Sequence, residues 1–419
     1  MDKFSIEGGA ALRGSIAASG AKNSALPALA ACLLTAEPVR LGRIPRVKDI
    51  RTMQSLLAHM GASVEEQEPG VTVVHAASLP RPEAPYDVVK TMRASSLVLG
   101  PLVARTGRAR VSMPGGCAIG ARPIDLHMRA LEQLGARIEQ SHGYVEAQAP
   151  EGLRGGQIHF DRITVTGTED IVMAAVLAAG ETVITNAARE PEVVDLCELL
   201  TKMGAKIGGA GTSTITVEGV RELHGAEHEI IADRIEAGTL LLAGAITRGD
   251  VTVTQCVPEH LAALTAKLRQ AGFEVTEPAG DRLRVRPQAR LRSVDITTEE
   301  HPGFATDLQA QYMALMTQAD GIAMITETIF ENRFMHVSEL NRMNANIRID
   351  GNRAMVAGPR ALTGAQTIAS DLRASASLVL AALVAEGETV IDRVYHMDRG
   401  YERIEQKLES VGARIRRIY

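Results

Sequence analysis

This sequence of 419 residues contains no tryptophan, and tyrosine and phenylalanine together keep aromatics at 3%. Proteins that stack bases or sugars on rings draw on many such side chains, so that class is disfavoured. A basic surplus is missing as well: 45 Lys and Arg stand against 50 Asp and Glu, a net charge of −5. Nucleic-acid binders carry the opposite balance, although a local cluster of cations can still hold a small anion. Cysteine occurs four times, at Cys32, Cys117, Cys197 and Cys256, never as a CxxC pair. Neither zinc ligation nor a disulfide framework is signalled, and a reducing cytosol is the expected compartment. Long apolar runs are also absent. Residues 1–6 show no signal-like stretch, and a run such as 376–385 falls short of the ~20 residues that span a bilayer. A soluble, cytoplasmic chain with neither membrane nor nucleic-acid partners is the expectation.

What is present is repetition. Met60-Gly61-Ala62-Ser63-Val64 returns as Leu134-Gly135-Ala136-Arg137-Ile138, Met203-Gly204-Ala205-Lys206-Ile207, Ala271-Gly272-Phe273-Glu274-Val275 and Val411-Gly412-Ala413-Arg414-Ile415. A sixth copy, Met343-Asn344-Ala345-Asn346-Ile347, replaces Gly by Asn. Gly and then Asn are the residues that end a helix in the left-handed conformation, so each mark reads as a helix stop before a strand. The marks recur about every 70 residues, long enough for one supersecondary unit per copy. Each unit opens with an apolar helix (25–34, 94–104, 171–179, 237–246, 308–317 and 374–385). A strand-like run and an amphipathic helix follow, the latter with apolar residues at three-and-four spacing. The reading is α/β, two globular domains of three repeated units each. The polar stretch 219–229 is the expected boundary, and the opening strand 3–7 completes the last unit.

The apolar helices are hydrophobic on every face and belong inside each domain. Their N-termini carry Lys22-Asn23, Arg93, Thr166-Gly167-Thr168, Asp233-Arg234, Thr306-Asp307 and Asp371-Leu372-Arg373. Free N–H groups and the positive dipole end make such termini anion sites. Simple capping is the competing reading; Lys and Arg, where caps favour Asp or Ser, weigh toward anions.

Residues 112–123, Ser-Met-Pro-Gly-Gly-Cys-Ala-Ile-Gly-Ala-Arg-Pro, hold three glycines and two prolines, which predict a mobile loop. Cys32 and Cys197 lie in apolar helical stretches, and Cys256 follows a strand-like run, as packing residues do. Cys117 instead sits in the glycine-rich loop near Arg122, a setting that favours an accessible thiolate. With no histidine beside it, Cys117 is expected to act alone, as acid or as nucleophile.

Several of these segments together carry a family resemblance over essentially the whole chain. They are Gly20-Ala21-Lys22-Asn23, Met92-Arg93-Ala94-Ser95, Pro114-Gly115-Gly116-Cys117, Ile119-Gly120-Ala121-Arg122-Pro123 and Thr166-Gly167-Thr168-Glu169. In the second half come Pro302-Gly303-Phe304, Thr306-Asp307, Phe330-Glu331-Asn332-Arg333-Phe334, Asp371-Leu372-Arg373-Ala374 and Asp398-Arg399-Gly400-Tyr401. In this order they resemble the EPSP synthase family of enolpyruvyl transferases, and within it the UDP-N-acetylglucosamine 1-carboxyvinyltransferases. The sister branch acting on shikimate 3-phosphate lacks the Pro-Gly-Gly-Cys loop.

The resemblance implies two inside-out α/β barrels, residues 22–229 in one and 1–21 with 230–419 in the other, closing on phosphoenolpyruvate and UDP-N-acetylglucosamine. It implies transfer of the enolpyruvyl group to the sugar 3′-hydroxyl with release of phosphate, the opening step of peptidoglycan precursor synthesis, with no cofactor and no metal. By the same resemblance Asp307 is the general base and Cys117 the general acid, which also forms an adduct with phosphoenolpyruvate. Lys22, Arg122 and Arg399 hold phosphate and carboxylate, while Arg93, Arg333 and Arg373 line the same cleft. The uridine side falls to Arg122, Pro123, Ile124, Asp125, Leu126, Arg162, Ile163, Thr164 and Val165. Asp307 and Ile329 face the sugar, and Asn23 the amino sugar or the tetrahedral intermediate.

Like charges on Arg-rich faces repel, so an anionic sugar nucleotide is expected to bind first and draw the Cys117 loop over the substrates. Limited proteolysis within 112–123 should therefore slow when the sugar nucleotide is added; an unchanged cleavage rate would count against ordered closure.

Overall fold

The computed structural model describes residues 2–113 and 124–419. The chain divides into two compact units, 2–19 with 232–419 and 20–113 with 124–231. Each has its own apolar core. Among the described residues there are six four-stranded sheets, three per unit, each with one parallel and two antiparallel neighbour pairs.

The inside-out arrangement follows from the apolar helices. In Lys22–Ala31 every side chain from Ser24 onward is buried, and in Arg234–Ile246 every one from Ile235 onward. Gln309–Met316 is buried throughout. Such helices have no face to offer water, so the sheets must wrap them. Arg234–Ile246, Gln309–Met316 and Leu372–Ala382 pack on one another at the centre of one unit. Leu99–Thr106 and Lys22–Ala31 both meet Val165–Ala175 in the other. A side chain on Gly244 would strike Val251 and Val285 of the enclosing sheet, so the helix approaches that closely only because the residue is glycine.

The six repeat marks all fall where left-handed backbone is needed. Gly61, Gly135, Gly204, Gly272 and Gly412 have φ between 94° and 114°, and Asn344 has φ 73°. Asn is thus the tolerated substitute at a helix stop rather than a break in the repeat.

The opening strand, Lys3–Glu7, lies inside the sheet of the last unit, between Glu388–Asp392 and Arg414–Ile418. Phe4 faces Ile391 on one side and Arg417 on the other. The Phe4 ring is fully buried, with the Arg417 guanidinium 5.1 Å from its centroid. Arg417 also pairs with Asp398 at 2.5 Å and Asp2 at 3.1 Å, tying the chain start to the turn Val394–Arg399. No helix among the described residues is long and apolar enough to cross a membrane. Phe4→Ala should lower the stability of its unit by about 3–5 kcal/mol, read as a lower urea midpoint; an unchanged midpoint would show that the strand does not hold the sheet together.

Candidate functional site

Asp307 lies on the 3-10 turn Thr306–Leu308, which leads into the buried helix Gln309–Met316. Its Oδ1 accepts from Arg333 Nη2 at 2.8 Å and its Oδ2 from Arg373 Nε at 3.1 Å. The two arginines are 5% and 4% exposed, whereas Asp307 keeps 25% of its side chain open. Two cations on one carboxylate leave a net positive charge. Nη1 of each arginine is buried without a hydrogen-bond partner, so each retains donors for an anion. Burial opposes the Arg373 charge, but Asp307, Tyr401 and Asp233 more than offset it, and its pKa is raised.

A second set of contacts fixes this cluster. Gln311 Nε2 donates to the Asp307 carbonyl at 2.9 Å and reaches Tyr401 Oη and Thr239 Oγ1 at 3.1 Å each. The Arg373 guanidinium stands 5.2 Å from the Tyr401 ring centroid, a cation–π contact. Arg333 stands 5.1 Å from the Phe330 ring in the same way. Ile329 joins through Glu327, whose carboxylate accepts from the Ile329 N–H at 2.9 Å and the Thr306 hydroxyl at 2.9 Å. Arg399 ends the turn Val394–Arg399, half-buried beside the Asp398–Arg417 pair.

In the other unit Lys22 opens the helix Lys22–Ala31 with its Nζ 3.5 Å from the buried Asp49. Asn23 is half-buried on the same turn. One residue on, the Ser24 hydroxyl donates to Asp195, whose other oxygen lies 2.9 Å from His228 Nε2. Lys202 Nζ lies 3.0 Å from His228 Nδ1. An ammonium only donates, so Nδ1 is the acceptor and Nε2 carries the proton given to Asp195. This chain, buried from Ser24 to His228, locks the turn bearing Lys22 and Asn23.

Arg93 heads the turn Arg93–Val98, near His127. His127 Nε2 lies 3.1 Å from Thr166 Oγ1, bringing the head of Asp125–Gln133 to the head of Val165–Ala175. The structure thereby gathers Ile124, Asp125 and Leu126 with Thr164 and Val165; the Ile124 side chain is in the core and Arg162 is exposed. Burial, with help from Arg93 and against Asp125, pushes the His127 pKa down to about 4. Cys117, Arg122 and Pro123 lie outside the described residues. The other three cysteines are buried, and burial raises the Cys32 thiol and pushes Cys197 up to about 12, as expected of packing residues.

Three of the six helix mouths are self-capped. Asp233 accepts from the N–H groups of Ile235 and Glu236, Asp371 from Arg373 and Ala374, and Thr164 from Gly167. There capping takes N–H groups that were expected to serve anions. The turns beginning at Lys22, Arg93 and Thr306 have no side-chain cap and keep the anion reading. Sequence reasoning missed Asp49 and Glu327, whose contacts to Lys22 and Thr306 span 27 and 21 residues, and Gln311, which donates to the Asp307 carbonyl one helical turn away. Among the described residues no group of three or more His, Cys, Asp or Glu is placed to hold a metal.

Residues 6–408 match the family model described as EPSP synthase (3-phosphoshikimate 1-carboxyvinyltransferase). The UDP-N-acetylglucosamine 1-carboxyvinyltransferase of Solibacter usitatus is 72% identical over the whole of both chains. That of Koribacter versatilis is 62% identical over all of this chain and 97% of its own. Among solved structures, the enolpyruvyl transferase NikO from Streptomyces tendae superposes with a TM-score of 0.89 at 26% identity, covering 99% of this chain and 98% of its own. An EPSP synthase from Acinetobacter baumannii gives 0.77 at 18% identity over the full length of both, a likeness of fold.

The depressed His127 pKa has a definite sign. Between about 6.5 and 4 the unfolded chain binds a proton that the native chain refuses, so stability falls as pH drops through that window. The loss is roughly 3 kcal/mol in all. His127→Gln, which keeps an amide at the Nε2 position, should flatten that part of the acid limb in urea unfolding; a limb equal to that of the unsubstituted protein would refute the assignment.

Proposed function

This chain belongs to the EPSP synthase family of enolpyruvyl transferases, and from that premise we propose how its residues divide the work. The enzyme transfers the enolpyruvyl group of phosphoenolpyruvate to the 3′-hydroxyl of UDP-N-acetylglucosamine and releases phosphate. Support for this acceptor, rather than a shikimate phosphate, comes from full-length relatives at 58% to 72% identity that carry the sugar-nucleotide activity in their names. The product leads to peptidoglycan, which sets the enzyme in the cytoplasm.

The observation that carries the division of roles is the Asp307 carboxylate fastened by Arg333 and Arg373 while a quarter of it stays open. Asp307 takes the proton of the sugar hydroxyl as the oxygen bonds to C2 of the enolpyruvate. The C2=C3 electrons take a proton at C3, given by Cys117, to make a tetrahedral intermediate. Elimination then breaks the bond to phosphate, returns a proton from C3 and restores the double bond. The buried Nη1 donors of Arg333 and Arg373 suit an anionic substrate group. Lys22, Arg122 and Arg399 hold phosphate and carboxylate, and Arg93 serves the same substrates; Asn23 meets the amino sugar or the tetrahedral intermediate, and Ile329 the sugar. The helix heads at Asp125 and Val165, brought together by His127 and Thr166, take the uridine side with Ile124, Leu126, Pro123 and Arg162 to Thr164.

Phosphate release from phosphoenolpyruvate should appear only when UDP-N-acetylglucosamine is present. Asp307→Asn should lower kcat about 10²–10⁴-fold, the usual scale for a general base. Its Cys117 should still be alkylated once by a fosfomycin-type epoxide, and Cys117→Ser should abolish that added mass. A native protein releasing no phosphate would sink the reading.

A further inference from the structure

We infer that Glu327 is the positioning residue that sets Asp307 against Arg333, an inference that rests on the proposed base role of Asp307. Glu327 follows the strand Gly321–Thr326 and is 3% exposed. Its backbone is fixed first: its N–H donates to the Asn352 carbonyl at 2.8 Å, and Asn352 Nδ2 donates to its own carbonyl at 3.2 Å. Its carboxylate is then shared between two segments. Oε1 accepts from the Thr298 hydroxyl at 2.8 Å and from the N–H groups of Ile329 and Phe330 at 2.9 and 3.3 Å. Oε2 accepts from the Thr306 hydroxyl at 2.9 Å.

All four donors are neutral. A buried carboxylate among neutral donors is costly, and only full use of both oxygens offsets that cost. Thr306 is the residue before Asp307 on its turn. Ile329 and Phe330 open the segment carrying Arg333, which donates to Asp307. The contacts therefore close a ring: Glu327, Thr306, Asp307, Arg333, Phe330 and back to Glu327. The turn that carries the base and the segment that carries Arg333 take their spacing from one side chain. A displacement of about 1 Å at a reacting group can cost on the order of 100-fold in rate.

The mildest cut in the ring is Thr306→Val, which removes only the hydroxyl given to Oε2. It should lower kcat about 10–100-fold, leave KM for phosphoenolpyruvate within about twofold, and barely move the thermal midpoint. Thr306→Ser, which restores the hydroxyl, should recover most of the lost rate. Glu327→Gln, with one accepting oxygen instead of two, should fall on the same side as Thr306→Val. Epoxide alkylation of Cys117 should be unaffected in all three. Equal kcat for the valine and serine variants, or a loss that only tracks the folded fraction, would overturn the inference. Absence of phosphate release in the unsubstituted protein would instead overturn the proposed reaction, and this inference with it.

Discussion

A helix buried on every face can be stabilised only by being enclosed, and that constraint organises each unit of this protein. Three such helices occupy the centre of one unit, and sheets must surround them because the helices have no polar stripe to turn outward. Enclosure leaves only the helix ends for polar chemistry. The residues proposed to meet the substrates, Lys22, Arg93, Thr164, Asp307 and Arg373 among them, accordingly stand in first turns or at their caps. Core and chemistry are therefore the same elements seen from the side and from the end.

At these ends the charge arithmetic decides what each terminus can do. Where a terminus supplies its own Asp or Thr, the free N–H groups are spent on that side chain, and what the end can offer a ligand is its side chains alone. Where none is supplied, a cation stands close by, as at Lys22 and Arg93. Around Asp307 two nearly buried arginines hold one carboxylate, and removing that carboxylate would leave two like charges facing each other with little access to solvent.

Much of this was legible in the sequence because it is periodic or local. The six helix stops could be read since only Gly and Asn accept the left-handed backbone there, and Asn344 with φ 73° shows the rule holding at its exception. The buried helices could be read from composition, and the inert cysteines from their apolar neighbours. Whether an N-terminus was capped depended on one side-chain rotamer, which spacing does not determine. Glu327 was illegible for a different reason. Between Thr326 and Thr328 it looks like a solvated strand end, and its hydroxyl partners are 29 and 21 residues away in the chain. Likewise Asp195 meets His228 across 33 residues. Such pairings arise only after the sheets have brought the segments together.

The opening strand imposes an order on the birth of the molecule. Lys3–Glu7 leaves the ribosome long before its neighbours in the sheet, Glu388–Asp392 and Arg414–Ile418. Asp2 waits for Arg417, 415 positions downstream. Residues 20–231 contain all three of their own sheets and can settle while synthesis continues. The other unit cannot close the sheet of Lys3–Glu7 until Arg414–Ile418 has been made, so that strand stays without its partners throughout the interval. Lys3–Glu7 is thus a latch made early and closed late, and the unit bearing Asp307 comes into being only as a whole.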